Sequence, residues 1–169
     1  HRTEIVESLD DEIAADILEE MSTENQARIP NSVFLPKPFS LNDLAATVQG
    51  QQFVYSFGGI TTGLSYSNII QQAFRHNVAT DTWDTLPPLP DTLGKIAASA
   101  SYVNGKIYII GGYHVLPNGD EISSNRVHVF DPTTNTYLPD GAPVPLPIDD
   151  QVQAVWRDSL IYVVAGWSN

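Results

Sequence analysis

The sequence contains no cysteine, and this absence excludes disulfide bonds, thiolate metal ligands and cysteine nucleophiles. Positive charge is also scarce, because 8 Lys and Arg stand against 20 Asp and Glu and give a formal net charge of −12. Binding to nucleic acid depends on clustered cations that displace counterions from phosphates, so we expect no nucleic-acid partner. Long apolar runs are missing as well, and no membrane span is predicted without about 18 consecutive apolar residues.

The acidic residues are concentrated near the start of the sequence, where nine of the twenty lie in the first thirty positions. Apolar residues recur in this region at steps of three and four, at Val6, Leu9, Ile13, Ile17 and Met21. This spacing predicts an acidic amphipathic α-helix from Thr3 to Met21, which either rests on the neighbouring domain or docks a partner. The polar stretch that follows is typical of a linker, so residues 1–33 are predicted to form a helical arm and linker.

From about residue 36 onward, short β-like runs occur three times, separated by Gly, Pro, Asn and Asp. Each run ends in a pair of small residues, and the pairs are spaced by 53 and 54 residues, at Gly58-Gly59, Gly111-Gly112 and Ala165-Gly166. A tyrosine stands three residues before each pair, at Tyr55, Tyr108 and Tyr162. A second run of small and branched residues precedes each of them, at Leu44–Val48, Ile96–Tyr102 and Val152–Trp156. The pattern predicts a repeated pair of antiparallel strands.

The first two copies continue with a third and a fourth predicted strand. The third strand follows a Ser-Asn pair in each copy and covers Phe74–Asn77 and Val127–Asp131. A turn follows, clearest in the Asp-Pro-Thr-Thr-Asn-Thr sequence that begins at Asp131, and an aromatic residue comes next, Trp83 or Tyr137. A proline-rich segment then ends each copy. Each complete copy is therefore predicted to be a four-stranded antiparallel sheet.

Together these motifs resemble the kelch repeat, over about residues 36–169. The resemblance implies an all-β, kelch-type β-propeller segment with four-stranded antiparallel blades, preceded by the acidic N-terminal α-helix. Residues 34–169 are predicted to form the blades, with one blade over 39–90, a second over 91–147 and a half blade over 148–169. The glycines are expected to serve close backbone approach, and Trp83 and Tyr137 to pack between blades. Two positions depart from the kelch pattern, Ala165 for a glycine and Tyr137 for a tryptophan.

The segment Phe34–Phe39 permits a second interpretation. Its Lys-Pro pair, placed ahead of a helix-like apolar pattern, resembles the end of a response-regulator receiver domain. A receiver also needs an aspartate on an upstream strand, and the preceding residues are predicted to be helix and linker. The segment fits the repeat in register instead, since Pro38 precedes Gly58 by 20 residues and Pro90 precedes Gly111 by 21.

The alternating direction of the strands predicts which connections lie together at one end of the sheets, where a ligand would bind. In a four-stranded meander, the connection between strands two and three lies on the same side as the link to the next blade. Loops on a rigid scaffold carry binding residues. The candidate ligand-binding residues on these face loops are Tyr113, His114, Asp149, Asp150 and Trp167.

Catalysis finds little support in the sequence. His76, His114 and His128 show no metal-ligand spacing, so we expect no metal and no cofactor. Kelch propellers include the galactose oxidase family, whose copper site depends on a cysteine-crosslinked tyrosine that this sequence does not provide. They also include bacterial sialic acid mutarotases, whose acid/base residues do not map onto this sequence. The resemblance favours a binding module for a protein or glycan, with a carbohydrate-processing enzyme such as a sialic acid mutarotase or epimerase as the alternative.

The number of repeats predicts a further partner. Propellers close with about four to eight blades, and the sequence holds about two and a half. We therefore expect these blades either to pack against the remaining blades of a longer chain or to self-associate through exposed strand edges.

Overall fold

The computed structural model describes residues 41–169, and these residues form antiparallel β-structure. Within this range there is no α-helix, and one 3-10 turn spans Tyr66–Asn68. No helix among these residues is long and apolar enough to cross a membrane. The predicted helical arm and linker at 1–33 lie outside the described residues.

The first sheet, which we call blade A, contains four strands in the order of the sequence, β2 (Ala45–Gln49), β3 (Phe53–Phe57), β5 (Ala73–Asn77) and β6 (Thr82–Leu86). Two short strands, β1 (Leu41–Asn42) and β4 (Ile60–Thr61), pair beside it. Ala45 pairs with Phe57 and Gln49 with Phe53. The receiver interpretation is therefore wrong, since it required a helix where β2 lies.

The second sheet, blade B, repeats this order and adds one strand. Its members are β7 (Ile96–Val103), β8 (Lys106–Val115), β10 (Val127–Asp131) and β11 (Thr136–Leu138), with β9 (Glu121–Ser123) paired to the end of β8. The prediction that the glycine pair ends the second strand is confirmed in blade A and wrong in blade B. There β8 continues through Gly111 and Gly112, because β9 offers Tyr113 and Val115 new backbone partners.

The third repeat contributes a two-stranded hairpin, hairpin C, formed by β12 (Val152–Trp156) and β13 (Leu160–Val164). One face of this hairpin carries Tyr162 and Val164, which are largely exposed. The equivalent residues of blade A, Tyr55 and Phe57, are buried. The difference follows from packing, because the blade A face is covered by blade B.

The main apolar core lies between blades A and B. Tyr55 and Phe57 approach Phe130 of blade B with ring centroids 6.4 and 5.8 Å apart, and Tyr137 lies 5.1 Å from Phe130. Tyr137 thus packs on a core that both blades build. Trp83 instead packs on His76 of its own sheet, at 4.8 Å.

Successive repeats are joined by the same backbone hydrogen bonds. The amide of Gly59 donates to the Lys95 carbonyl at 2.9 Å, and one repeat later the amide of Gly112 donates to the Ile148 carbonyl at 2.8 Å. A side chain on the preceding residue is excluded by this approach, since a Cβ at Gly58 would lie 2.5 Å from the Lys95 oxygen. The glycine pair was predicted to allow close approach of another backbone segment, and in blade A that segment is the link at Lys95.

A second set of bonds connects residues at the start of the first strand of each repeat, where Asp43 and Asp150 lie two residues before their strands and Ala97 is the second residue of β7. The Ala97 amide donates to the Asp43 carbonyl at 3.3 Å, and the Asp150 amide donates to the Ala97 carbonyl at 3.0 Å. All three residues are left-handed, with φ of 51, 54 and 51°. We call this chain of three residues the collar. It places one residue of each repeat at equivalent positions on one side of the sheets.

Candidate functional site

The antiparallel order divides the connections between two ends of the sheets. The turn face carries the tight turns within each strand pair, around residues 50–52, 78–81, 104–105, 132–135 and 157–159. The loop face carries the longer connections and the links between repeats, around residues 58–72, 87–95, 116–126 and 139–151, and the segment 165–169. The five predicted ligand-binding residues all belong to the loop-face end.

Tyr113 and His114 lie on the extension of β8 and not in a loop, which corrects the prediction for this segment. Tyr113 pairs with Ser123 across the β8–β9 ladder. The side chain of His114 is half-buried, and its Nδ1 lies 2.7 Å from the Gly94 carbonyl oxygen in the link between blades. The ladder therefore fixes both side chains on a rigid element.

Asp149 and Trp167 are paired through their backbones, with mutual hydrogen bonds of 3.0 and 2.8 Å. The side chain of Asp149 is buried at 1% exposure, and its carboxylate accepts a 2.6 Å hydrogen bond from the Ser123 hydroxyl. Trp167 is 65% exposed, and its indole donates to the Asn169 side chain at 2.8 Å. Asp149 thus fastens hairpin C to β9, while Trp167 is presented to solvent.

Negative charge converges on Tyr113. Burial raises the pKa of the Tyr113 phenol, and the carboxylates of Glu121, Asp43, Asp150 and Asp149 raise it further. Partial desolvation raises the pKa of Asp43, and Asp150 adds to the effect. The patch formed by these five residues, which we call the acidic patch, draws on three repeats.

Asp43 and Glu121 were not among the predicted site residues. Asp43 had a signal in the sequence, because it precedes the first strand at the position that Asp150 occupies two repeats later. Glu121 had none, since its place beside Tyr113 depends on the β8–β9 pairing. In residues 41–169, no group of three or more His, Asp and Glu side chains is arranged to hold a metal ion.

A second polar cluster, which no sequence motif predicted, lies inside the junction of blades A and B. Lys95 is 1% exposed, and its Nζ lies 2.8 Å from Asp91 Oδ2. His128 Nε2 lies 2.8 Å from the same oxygen, and His128 Nδ1 lies 3.1 Å from Asp140. Arg126 bridges the two carboxylates, at 2.5 Å from Asp91 and 2.8 Å from Asp140. We call these five residues the junction network.

The pKa shifts in the junction network follow from its pairings. Burial lowers the pKa of Lys95, and its contact with Asp91 opposes this effect. Desolvation opposes ionisation of Asp91, but hydrogen bonds and charge from His128 and Lys95 outweigh it and hold the pKa of that carboxyl well below its ordinary value. The pKa of Asp140 is lowered in the same way by His128 and Arg126, against the effect of desolvation. Asp91 is therefore the anion that neutralises the buried cation.

Comparisons with known proteins agree with this architecture. The Kelch motif matches residues 97–138, which span blade B from β7 to β11. The Kelch-like protein terF of Aspergillus terreus is 29% identical over 137 residues, covering 78% of this chain and 28% of that protein. The N-acetylneuraminate epimerase of Pasteurella multocida is 36% identical over 78 residues, covering 45% of this chain and 20% of the epimerase.

The solved structure of YjhT superposes with a TM-score of 0.64 at 21% identity, over 79% of this chain and 37% of YjhT, and it supports the fold. The chain thus spans less than a third of the length of the curated relatives it matches. The repeat spacing, the four-stranded sheets and the motif match lead to one conclusion: the chain carries a Kelch motif at residues 97–138, and its described residues form antiparallel sheets of the β-propeller type.

Proposed function

We propose that the loop face is a recognition surface for a protein or glycan partner, with a protein favoured. The observation that carries the proposal is that three successive repeats build one patch. Asp43 precedes the first strand of blade A, Tyr113 and Glu121 come from blade B, and Asp149 and Asp150 come from the link to hairpin C. Trp167 joins the patch through its backbone bonds to Asp149. An exposed Trp and a half-buried Tyr on a rigid scaffold are typical of binding surfaces.

The five predicted residues divide by position. Tyr113, Asp150 and Trp167 face the surface and are proposed as contact residues. Asp149 and His114 are proposed as positioning residues, because Asp149 is buried against Ser123 and His114 contacts the Gly94 carbonyl.

Two exposed tryptophans at opposite ends of hairpin C provide a matched test. Trp167 lies on the loop face at 65% exposure, and Trp156 lies next to the turn face at 52%. The whole chain is screened against a peptide-display library and a glycan array, and the binders are remeasured on Trp167→Ala and Trp156→Ala. We expect Trp167→Ala to weaken binding by about tenfold or more, as for an aromatic anchor, and Trp156→Ala to change it little. Equal losses, or a loss confined to Trp156→Ala, contradict the proposal.

A second candidate function is sugar epimerisation, favoured by the similarity to N-acetylneuraminate epimerase. The raised pKa of Asp43 next to Asp150 suits a proton-transfer pair. The acidic patch repels an anionic sugar, however, and this places the enzyme second. Anomer interconversion of N-acetylneuraminate followed by proton NMR tests it: an acceleration that Asp43→Asn abolishes supports the enzyme, and an unchanged rate rejects it.

A further inference from the structure

The β8–β9 hairpin lies beside a groove on the loop face. The hairpin turn is held by two backbone bonds, from Leu116 to the Asp120 carbonyl at 2.8 Å and from Gly119 to the Leu116 carbonyl at 2.9 Å. On the blade A side of this turn lies a groove of about 250 Å³. About half of its lining surface is apolar and comes from Tyr66, Ile69, Leu93, Val115 and Pro117, and Ser67, Gln71 and Thr92 contribute polar groups. We call it the hairpin groove.

Apolar side chains around the hairpin remain exposed. Tyr66 and Leu93 in the groove, and Ile122 on the other side of the hairpin, each expose more than a third of their surface. Ile122 borders a second, shallower hollow with Leu116 and Glu121. Exposed apolar groups gathered on one surface and rimmed by polar residues mark interaction sites.

The exposed carboxylates of the loop face have no cationic partner among the described residues. Asp43, Asp120, Glu121 and Asp150 are exposed on the loop face, and none of them forms an ion pair within residues 41–169. The two nearby cations, Lys95 and Arg126, are bound by Asp91 and Asp140 in the junction network. The loop face of the described residues therefore presents both uncompensated negative charge and a groove with exposed apolar side chains.

Resting on the proposed function above, we infer that the partner is a protein segment that inserts an apolar side chain into the hairpin groove and places Lys or Arg against the exposed carboxylates of the loop face. The apolar half of the groove lining favours a ligand that brings an apolar side chain over a purely ionic one. The carboxylates disfavour acidic segments through like-charge repulsion. Complementary charge also accelerates association, and this effect weakens as salt screens it.

The test is a selection of random peptides from a display library on the whole chain, followed by affinity measurements of selected peptides on variants. The charge variant is Asp120→Asn with Glu121→Gln, and its matched control is Asp81→Asn with Asp84→Asn, which removes two exposed carboxylates away from the loop face. The groove variant is Leu93→Ser, and its control is Leu160→Ser at the other end of the sheets. Circular dichroism checks that each variant is folded.

We expect the selected peptides to be enriched in Lys or Arg next to a large apolar residue. The charge variant lowers their affinity by about two- to fivefold in low salt, as exposed ion pairs do, and Leu93→Ser lowers it by about tenfold. The two controls leave the affinity within about twofold. Affinity also falls as salt is added.

Other outcomes overturn the inference in distinguishable ways. Acidic or neutral peptides that lose binding on Trp167→Ala reject the cationic partner and leave the loop face as a binding surface. Peptides whose binding responds only to the control variants reject both the inference and the proposed function. If the library yields no binder while the glycan array yields one that depends on Trp167, the partner is a glycan and the inference is wrong. If neither screen yields a binder, both proposals are rejected.

Discussion

The two junctions between successive repeats use the same backbone bonds and different side chains. At the junction of blades A and B, the carbonyl that receives the glycine amide belongs to Lys95, whose side chain is buried in an ionic network. At the junction of blade B and hairpin C, the equivalent carbonyl belongs to Ile148, which is half-buried and apolar. Main-chain bonds therefore define how the repeats join, while the side chains beneath them differ from one junction to the next.

The difference has consequences for how each junction responds to change. A buried ion pair contributes little net stability compared with apolar residues, but removal of one partner leaves an uncompensated charge. The junction of blades A and B, which contains Lys95, is therefore sensitive to loss of single charges and to acid. The junction of blade B and hairpin C, which contains Ile148, is sensitive to added side-chain volume and to backbone conformation. Four changes are expected to affect the stability of these junctions, and their expected effects decrease in the order given.

The largest effect is expected from Asp91→Ala in the junction network. It leaves Lys95 buried without its carboxylate, and we expect a loss of about 3–5 kcal/mol in the free energy of unfolding. Lys95→Met is expected to cost less, because Asp91 keeps His128 and Arg126 as partners. Urea denaturation of the whole chain measures both. A larger cost for Lys95→Met than for Asp91→Ala contradicts the assignment of Asp91 as the neutralising anion.

At the other junction, Gly111→Ala tests the close approach of backbones. A Cβ at Gly111 lies closer than 3.0 Å to the Ile148 carbonyl oxygen, and the residue has φ of 66°. Strain at positive φ and the overlap together are expected to cost roughly 2–5 kcal/mol. Gly105→Ala is the control, since Gly105 has φ of 75° and nothing within 4 Å of the added carbon. Its cost is expected to be about 1–2 kcal/mol. Equal melting temperatures for the two variants remove the steric explanation.

Lowering the pH is expected to weaken the junction of blades A and B, which depends on Asp91, without any substitution. The pKa of Asp91 is lowered in the folded chain, so its stabilising contribution is present above the ordinary value of 3.8 and is lost as pH falls below it. We expect the free energy of unfolding to decrease between about pH 5 and pH 3. Asp91→Asn is less stable at pH 5 and loses less over this interval, whereas Asp120→Asn, exposed and outside the network, keeps the wild-type slope. If the free energy of unfolding of Asp91→Asn depends on pH as steeply as that of the wild type, the pairing of Asp91 with Lys95 and His128 does not account for the loss in acid.

The smallest effect is expected at Ala165, which takes the place of Gly58 and Gly111 in the third repeat. Its φ is 56°, a conformation that glycine adopts without strain. Ala165→Gly is expected to stabilise the chain by about 0.5–1 kcal/mol after the added entropy of the unfolded glycine is deducted. Ala154→Gly in β12 is the control, and it is expected to destabilise by about 0.5–1 kcal/mol. Scanning calorimetry compares the two, and a lower melting temperature for Ala165→Gly shows that its positive φ carries no strain.

The repeat made most of the sheet structure predictable. The spacing of the glycine pairs located the first three strands of blades A and B to within a few residues, because strand and turn chemistry are local. The same spacing located hairpin C, and β12 was predicted with the observed bounds. The extension of β8 was missed, although the alternation after Gly112 and the Asn-Gly pair at Asn118 are typical of a hairpin.

The candidate site was predictable only in outline. Strand parity identified the end of the sheets where Tyr113, Asp150 and Trp167 lie. It did not show that Asp149 is buried, because its burial depends on Ser123 and Trp167 from distant parts of the sequence. The junction network was missed for a similar reason. Charged residues in a proline-rich link are expected at the surface, and Lys95 is buried only because blade B packs over it.

The collar has a consequence for how such chains change in length. Each of its bonds joins unlike positions, the amide of one repeat to the carbonyl of the one before it. Contacts of this head-to-tail kind can be repeated from one unit to the next without limit. They close into a ring only when the rotation per step divides a full circle. Duplication of one 53-residue unit, the spacing of the first two glycine pairs, therefore inserts a sheet without requiring a new kind of contact. The number of blades is then decided by the angle between neighbouring sheets, and small changes in side-chain bulk at the junctions are where evolution can adjust it.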